Sequence, residues 1–327
     1  MNNQKPASYS NCILCPRLCG IDRTAAIRTA SKGYCGESSE LRLGFAGIHK
    51  GEEPPITANG GSGTVFVTGC NLGCAFCQNY QISKEGMGRV VSTEEFAAIC
   101  LALQEKWADN INIVTGSHAA PALALGIAKA RERGLKIPVV WNSSAYDGLE
   151  SLEILRDHID VYLPDLKTLD PKISAKYFHT ADYPSHAKEA ILKMMEYREL
   201  RYEGIGLISG VIIRHLVIPG YLDSTRQVLK WFSENCRKTA LLSLMTQYTP
   251  VYGSKEKKQT TGKEIPDSYL SQAEYDEVML MLDEYEINFG FCQELVTGSD
   301  WLPDFNKTNP FSSELSLPVW HWREGFV

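Results

Sequence analysis

From Thr64 onward the chain alternates short β-branched apolar runs with amphipathic helical stretches, about six times over. The runs Thr64–Thr68, Asn110–Thr115, Ile137–Trp141, Ile159–Leu163, Gly210–Ile218 and Ala240–Met245 are too apolar to keep one face in water. That marks strands covered on both sides. Between and after them the spacing predicts helices over Glu94–Trp107, Pro121–Arg133, Gly148–Asp157, Ala187–Arg201, Ser224–Cys236 and Ser271–Glu286, with one more short strand at Phe289–Phe291. Capping boxes are expected at Ser92 with Glu95 and at Ser271 with Glu274. Strand–helix repetition requires a parallel sheet, which right-handed crossovers can close into a full or partial barrel. A flat doubly wound sheet is the alternative. At 327 residues the chain exceeds a barrel of roughly 200–250 residues and leaves length for appendages.

Three segments follow: an N-terminal module over residues 1–55, the α/β barrel over 56–292, and a C-terminal extension over 293–327. Residues 1–60 are rich in Gly, Pro and polar side chains with little periodicity, and are expected to be irregular. Hydrophobic residues at 44% and charged residues at 22% fit a chain that buries a real core. A net charge of −6 argues against a nucleic-acid partner held by bulk electrostatics. The opening Met1–Pro6 is polar, and no run approaches the roughly 20 apolar residues of a membrane span. The expectation is therefore a cytoplasmic protein with no membrane partner. Ten cysteines in a reducing compartment then point to metal or redox use.

The cysteines are grouped. Cys70, Cys74 and Cys77 form Cys-x3-Cys-x2-Cys directly after the first strand. Three unpaired thiols in eight residues suit a metal better than disulfides. They are one ligand short of filling a four-iron cluster, and an open coordination position distinguishes a catalytic metal from a structural one. Cys12, Cys15, Cys19 and Cys35 form Cys-x2-Cys-x3-Cys-x15-Cys, a complete tetrathiolate set. It suits a structural Zn²⁺ or an auxiliary iron–sulfur cluster, and spacing leaves both open. Cys100, Cys236 and Cys292 are solitary and are read as packing residues.

In a parallel barrel the site forms at the C-terminal ends of the strands. The first strand delivers the triplet. The next deliver Thr115-Gly116-Ser117-His118, Asn142-Ser143-Ser144 and Asp165-Leu166-Lys167; Arg214 and His215 lie on the fifth, and Thr246-Gln247-Tyr248 follow the sixth. Asp165 and Lys167 flank Leu166, so both face the same side of their strand end. His118 is read as a polar helix-start residue, with a proton donor as the alternative. Thr249–Tyr269 carries Lys255, Lys257, Lys258 and Lys263 and is read as a solvated loop, with a lid or docking loop as the alternative.

The triplet, with Phe76 before its last cysteine, resembles the signature of the radical S-adenosylmethionine (SAM) enzymes. The wider run Gly51-Glu52-Glu53-Pro54-Pro55-Ile56 … Gly69-Cys70-Asn71-Leu72-Gly73-Cys74-Ala75-Phe76-Cys77-Gln78-Asn79-Tyr80 resembles the pyruvate formate-lyase activating enzyme-like subgroup, as do Asp165-Leu166-Lys167 and Arg214. The resemblance implies a partial (β/α)6 TIM-type barrel of radical SAM type. It implies that Cys70, Cys74 and Cys77 hold a [4Fe–4S] cluster whose fourth iron binds SAM, and that an electron cleaves SAM to methionine and a 5′-deoxyadenosyl radical. It implies contacts to SAM from Phe76, Thr115, Gly116, Ser117, Asp165, Lys167, Arg214 and Gln247. Asn142 and Ser143 stand where those enzymes place an Asp-Thr pair for a monovalent cation. An electron donor such as a flavodoxin or ferredoxin is implied, with a glycine Cα–H on a protein partner as substrate. A small molecule, peptide or RNA is the alternative substrate; a non-enzymatic iron–sulfur electron carrier is the alternative class.

Overall fold

The computed structural model describes residues 9–26, 33–251, 265–299 and 301–327. Its first sheet element is β1 (Leu41–His49), followed by α1 (Pro54–Thr57), β2 (Ser62–Val67), α2 (Tyr80–Ser83), β3 (Arg89–Val91) and α3 (Thr93–Glu105). The central part runs β4 (Asn110–Val114), α4 (Ala120–Glu132), β5 (Val139–Ser143), α5 (Leu149–Leu155), β6 (Val161–Pro164), α6 (Pro171–Phe178) and α7 (Tyr183–Tyr197). It continues through β7 (Arg201–Glu203), β8 (Gly206–Leu216), α8 (Leu222–Asn235), β9 (Leu241–Met245), α9 (Gln272–Glu284), β10 (Gly290–Cys292), β11 (Ser316–His321) and β12 (Gly325–Phe326).

The strands lie in the order β10-β9-β8-β6-β5-β4-β2-β1-β11-β12, with β3 beside β1 and β7 beside β8. From β2 to β10 every neighbouring pair on that path is parallel. The sheet is open, as a partial barrel requires, and the expected strand–helix alternation is its backbone. Every residue of β2, β4, β5 and β6 is buried, so these strands read as continuous apolar runs. One face packs against the helices through Ile111, Ile113, Trp141, Leu123, Ile127 and Leu152. On the other face Val140, Val161, Leu163 and Ile212 close around Ile56 of α1, and Asn110 Nδ2 donates to the Ile56 carbonyl at 2.6 Å.

Two features differ from expectation. β1 lies inside residues 1–60, the stretch expected to be irregular. It pairs antiparallel with β2 on one side and with β3 and β11 on the other. Its residues Gly44 and Gly47 are small because neighbours crowd them: a Cβ at Gly47 would stand 2.7 Å from the Leu317 carbonyl. The capping box is complete at Ser271 and Glu274 but half-formed at Ser92. Ser92 accepts from the Glu95 N–H at 3.1 Å, while the Glu95 carboxylate turns to Arg89 and to Trp320 Nε1. Lys255, Lys257, Lys258 and Lys263 of the proposed lid or loop fall outside the described residues.

Candidate active site at the strand ends

The triplet loop leaves β2 through Gly69, whose φ of +88° favours glycine. The loop is held from several sides. Asn71 Nδ2 donates to the Tyr146 carbonyl at 2.5 Å, and the Ala75 N–H to the Tyr177 carbonyl at 2.8 Å. The Leu72 N–H points at Cys70 Sγ (3.3 Å), Cys77 Sγ lies 3.3 Å from Ser83 Oγ, and Lys84 donates to the Cys74 carbonyl. Phe76 packs edge-on against Tyr177, Phe178 and Tyr248.

Cys70, Cys74, Phe76 and Cys77 line one cavity of about 330 Å³. Thr115, Asn142, Ser143, Asp165, Lys167, Arg214 and Gln247 line the same cavity, so residues from the ends of β2, β4, β5, β6, β8 and β9 converge there. That volume is at the lower end of ordinary small-ligand sites. Thr115 adopts φ = +64°, a left-handed conformation costly for a β-branched residue and of the kind concentrated at functional sites.

The charged residues form a compact network. Arg214 Nε donates to Asp165 Oδ1 at 2.7 Å, Nη1 to Glu52 Oε2 at 3.2 Å and Nη2 to Asn142 Oδ1 at 2.5 Å. Lys167 Nζ donates to Asp165 Oδ2 at 2.7 Å, so Asp165 and Lys167 do share a side. Burial opposes ionisation of Asp165, but Arg214 and Lys167 outweigh it and hold the carboxyl below its ordinary range. Among the described residues Glu52 has no second cation, and burial raises it. Beside it Glu53 accepts from Ser243 Oγ at 2.8 Å and is likewise raised by burial.

Glu52, which lines the cavity, and Glu53 beside it are not among the site residues read from the sequence. Two adjacent acids before Pro-Pro, entering an apolar plug, are the signal that marks them. Gly116 and Ser117 stand apart from the cavity. Gly116 packs under Leu123 and Trp141, and the Ser117 hydroxyl engages buried Asp147. His118 is buried with Nε2 2.8 Å from the Thr68 carbonyl, in keeping with a structural role.

Residues 64–232 match the model of the radical SAM superfamily. The chain belongs to the radical SAM superfamily. An uncharacterized protein of Methanocaldococcus jannaschii is 30% identical over 258 residues, covering 76% of this chain and 69% of that protein. Among solved structures, SuiB of Streptococcus suis bound to S-adenosylmethionine aligns at TM-score 0.47 and 15% identity, over 70% of this chain and 48% of that one. Methylornithine synthase aligns at TM-score 0.44 and 15% identity, over 66% and 60%. A domain of pyruvate-formate lyase-activating enzyme from Bacteroides vulgatus aligns at TM-score 0.35 and 11% identity, over 55% and 91%. The chain thus spans about half the length of SuiB.

Membership of the radical SAM superfamily makes this an enzyme and implies a [4Fe–4S] cluster and SAM. The donor set fits the cluster: three thiols on one loop face one cavity beside buried Leu72 and Phe76. Burial pushes the Cys74 thiol up to about 12 and raises Cys70 as well, so both stay protonated until a metal displaces the proton. In such a cluster each thiol binds its own iron, so the triplet need not stand at single-ion spacing, and no three His, Cys, Asp or Glu side chains among the described residues do. No helix among the described residues is long and apolar enough to cross a membrane.

Cys12 and Cys15 are buried, and Cys19 and Cys35 partly so, in a module packed against the triplet loop. A Cβ at Gly69 would come within 3.0 Å of the Cys35 carbonyl. Cys100 and Cys236 are buried in the main core, as their solitary placement implied; Cys292 is exposed.

Proposed function

We propose that this radical SAM enzyme binds its cluster on Cys70, Cys74 and Cys77 and SAM in the adjoining strand-end cavity, and that it abstracts a hydrogen atom from a substrate entering the same cavity. The observation that carries this reading is the convergence of the three thiols with Asp165, Lys167 and Arg214 on one cavity. When bound, the cluster supplies the electron that cleaves SAM to methionine and a 5′-deoxyadenosyl radical.

The residues of the chain do the binding and the shielding. Arg214 and Lys167 offer cationic donors for a carboxylate, and Asp165 and Glu52 offer acceptors for an ammonium, the first three at strand ends and Glu52 on the connection between β1 and α1. SAM carries both groups on one carbon, so it can enter this balanced network without leaving a buried charge unpaired. Phe76, Tyr248 and Leu72 supply apolar walls that keep water and stray hydrogen donors from the reacting centre. Thr115, Asn142 and Ser143 add polar contacts, and Gln247 faces the same space from the end of β9.

The substrate we infer from the subgroup resemblance is a glycine Cα–H on a protein partner, with a flavodoxin or ferredoxin as electron donor. Anaerobic incubation with SAM, reductant and a candidate protein, read by electron paramagnetic resonance, tests this. A glycyl-radical doublet supports it. 5′-Deoxyadenosine without any protein radical points to a small molecule, peptide or RNA. The absence of SAM cleavage in every arm overturns the reading.

A further inference from the structure

The N-terminal segment has almost no core of its own. Among the described residues before Leu41, the buried apolar side chains are Cys12, Leu14 and Cys15, two of them cysteines. A segment so thin holds a fixed shape only with an added crosslink or metal. Its backbone is nonetheless folded into tight turns. The Leu18 N–H donates to the Cys15 carbonyl at 3.0 Å, the Gly20 N–H to the Cys12 carbonyl at 2.9 Å and the Gly36 N–H to the Gly33 carbonyl at 3.0 Å. The Arg17 N–H points at the Cys15 sulfur and the Glu37 N–H at the Cys35 sulfur.

Arg23 supplies the second observation. It is 1% exposed, and its donors go to the carbonyls of Glu37 (2.9 Å), His118 (3.1 Å) and Ser38 (2.7 Å) and to Cys12 Sγ (3.2 Å). The carboxylate of Glu37 belongs to Arg42 at 2.8 Å, and Asp22 is turned to Thr24. No ion pair among the described residues includes Arg23. A buried guanidinium given only neutral acceptors carries an uncompensated charge. A tetrathiolate metal centre is net negative and would compensate it where it stands.

The same module grips the triplet loop. Arg17, between Cys15 and Cys19, donates through Nε to the Asn71 carbonyl (2.9 Å) and through Nη2 to the carbonyls of Leu72 (3.1 Å) and Phe178 (2.9 Å). Its guanidinium stacks 3.6 Å from the ring centre of Tyr34, whose hydroxyl also donates to the Leu72 carbonyl at 3.1 Å. Tyr34 is the neighbour of Cys35. We propose that Cys12, Cys15, Cys19 and Cys35, which stand short of single-ion spacing among the described residues, close around one tetrathiolate metal centre, and that this centre fixes Arg17 and Tyr34 as a clamp on the loop of Cys70, Cys74 and Cys77. The clamp rests on the reading of that triplet as the cluster site; the metal centre does not. Zinc and an iron–sulfur cluster share the thiolate chemistry, and metal content separates them.

The test uses the full chain purified anaerobically, with zinc, iron and acid-labile sulfide measured together. The triple variant Cys70→Ala/Cys74→Ala/Cys77→Ala is expected to keep a stoichiometric metal. Zinc identifies a structural ion, and iron with sulfide an auxiliary cluster. A triple variant with neither metal overturns the proposal even if Cys12→Ala/Cys35→Ala fails to fold. Arg17→Met tests the clamp: with the N-terminal metal retained, reconstituted triplet iron should fall at least twofold and its electron paramagnetic resonance signal should change. Wild-type iron content and an unchanged signal in Arg17→Met overturn the clamp. Wild type lacking triplet iron but holding the N-terminal metal would instead defeat the proposed function and leave the metal centre standing.

Discussion

Asp165 and Arg214 are joined twice: their backbones form a parallel bridge, with the Leu166 N–H on the Arg214 carbonyl at 2.8 Å, and their side chains pair at 2.7 Å. The ion pair is therefore built into the sheet register between the ends of β6 and β8. Replacing Arg214 with Met leaves Asp165 and Glu52 buried without their main cation. The expected cost is about 3–5 kcal/mol of stability, with loss of SAM binding. Urea unfolding and calorimetric titration with SAM check this. A variant as stable as wild type would show that the network contributes little.

Gly69 opens the triplet loop at φ +88°, and a Cβ there would meet Glu37 Cγ at 2.4 Å. Gly69→Ala adds about 1–2 kcal/mol of backbone strain before any clash is counted. The unfolding midpoint should fall, and iron incorporation should fall with it. Normal iron loading in this variant would mean that the loop tolerates a different path.

Burial pushes His215 down to about 4 and does the same to His49. Their ordinary value is 6.5, so on acidification the unfolded chain takes up protons first. Stability is complete above about pH 6.5 and is lost as pH falls toward 4, by up to about 1.4 kcal/mol per histidine per pH unit. His215 bridges the Leu166 carbonyl (2.7 Å) and Thr225 Oγ1 (3.0 Å), so it also braces the Asp165–Lys167 end. His215→Gln should flatten the pH dependence of the unfolding free energy between pH 6.5 and 4. An unchanged slope would contradict the assignment.

The residues after Cys292 complete the sheet. β11 borders β1, and Gln81 accepts from the Phe305 N–H at 2.7 Å while donating to Asp304 at 3.1 Å. Phe305 is fully buried against Phe66, next to the cavity wall. Phe305→Ala should cost about 3–5 kcal/mol. A loss below about 1 kcal/mol by calorimetry would show that the segment is peripheral.

The parallel strands were legible because burial on both faces leaves an uninterrupted apolar run, as in Val139–Trp141. β1 was not, because Gly44 and Gly47 are required by close neighbours and, with Ala46, carry little strand propensity. β11 was hidden by Pro318, which is tolerated because β12 pairs only with Trp320 and His321 and leaves the outer side of Pro318 unpaired. In the site, Asp165, Lys167 and Arg214 were found because each closes a readable strand. Glu52 was missed because it arrives from a connection, with a partner 162 positions away. Ser117 was placed near the cofactor by analogy with a strand end, and the local 3₁₀ turn over Ser117–Ala119 points it to Asp147 instead.

The central claim concerns the three thiols around one cavity. Anaerobic reconstitution with iron and sulfide, followed by SAM and a reductant, should yield 5′-deoxyadenosine and methionine in the wild type. Cys70→Ala, Cys74→Ala and Cys77→Ala should each yield background only. Retention of 5′-deoxyadenosine formation by any of the three would contradict the account.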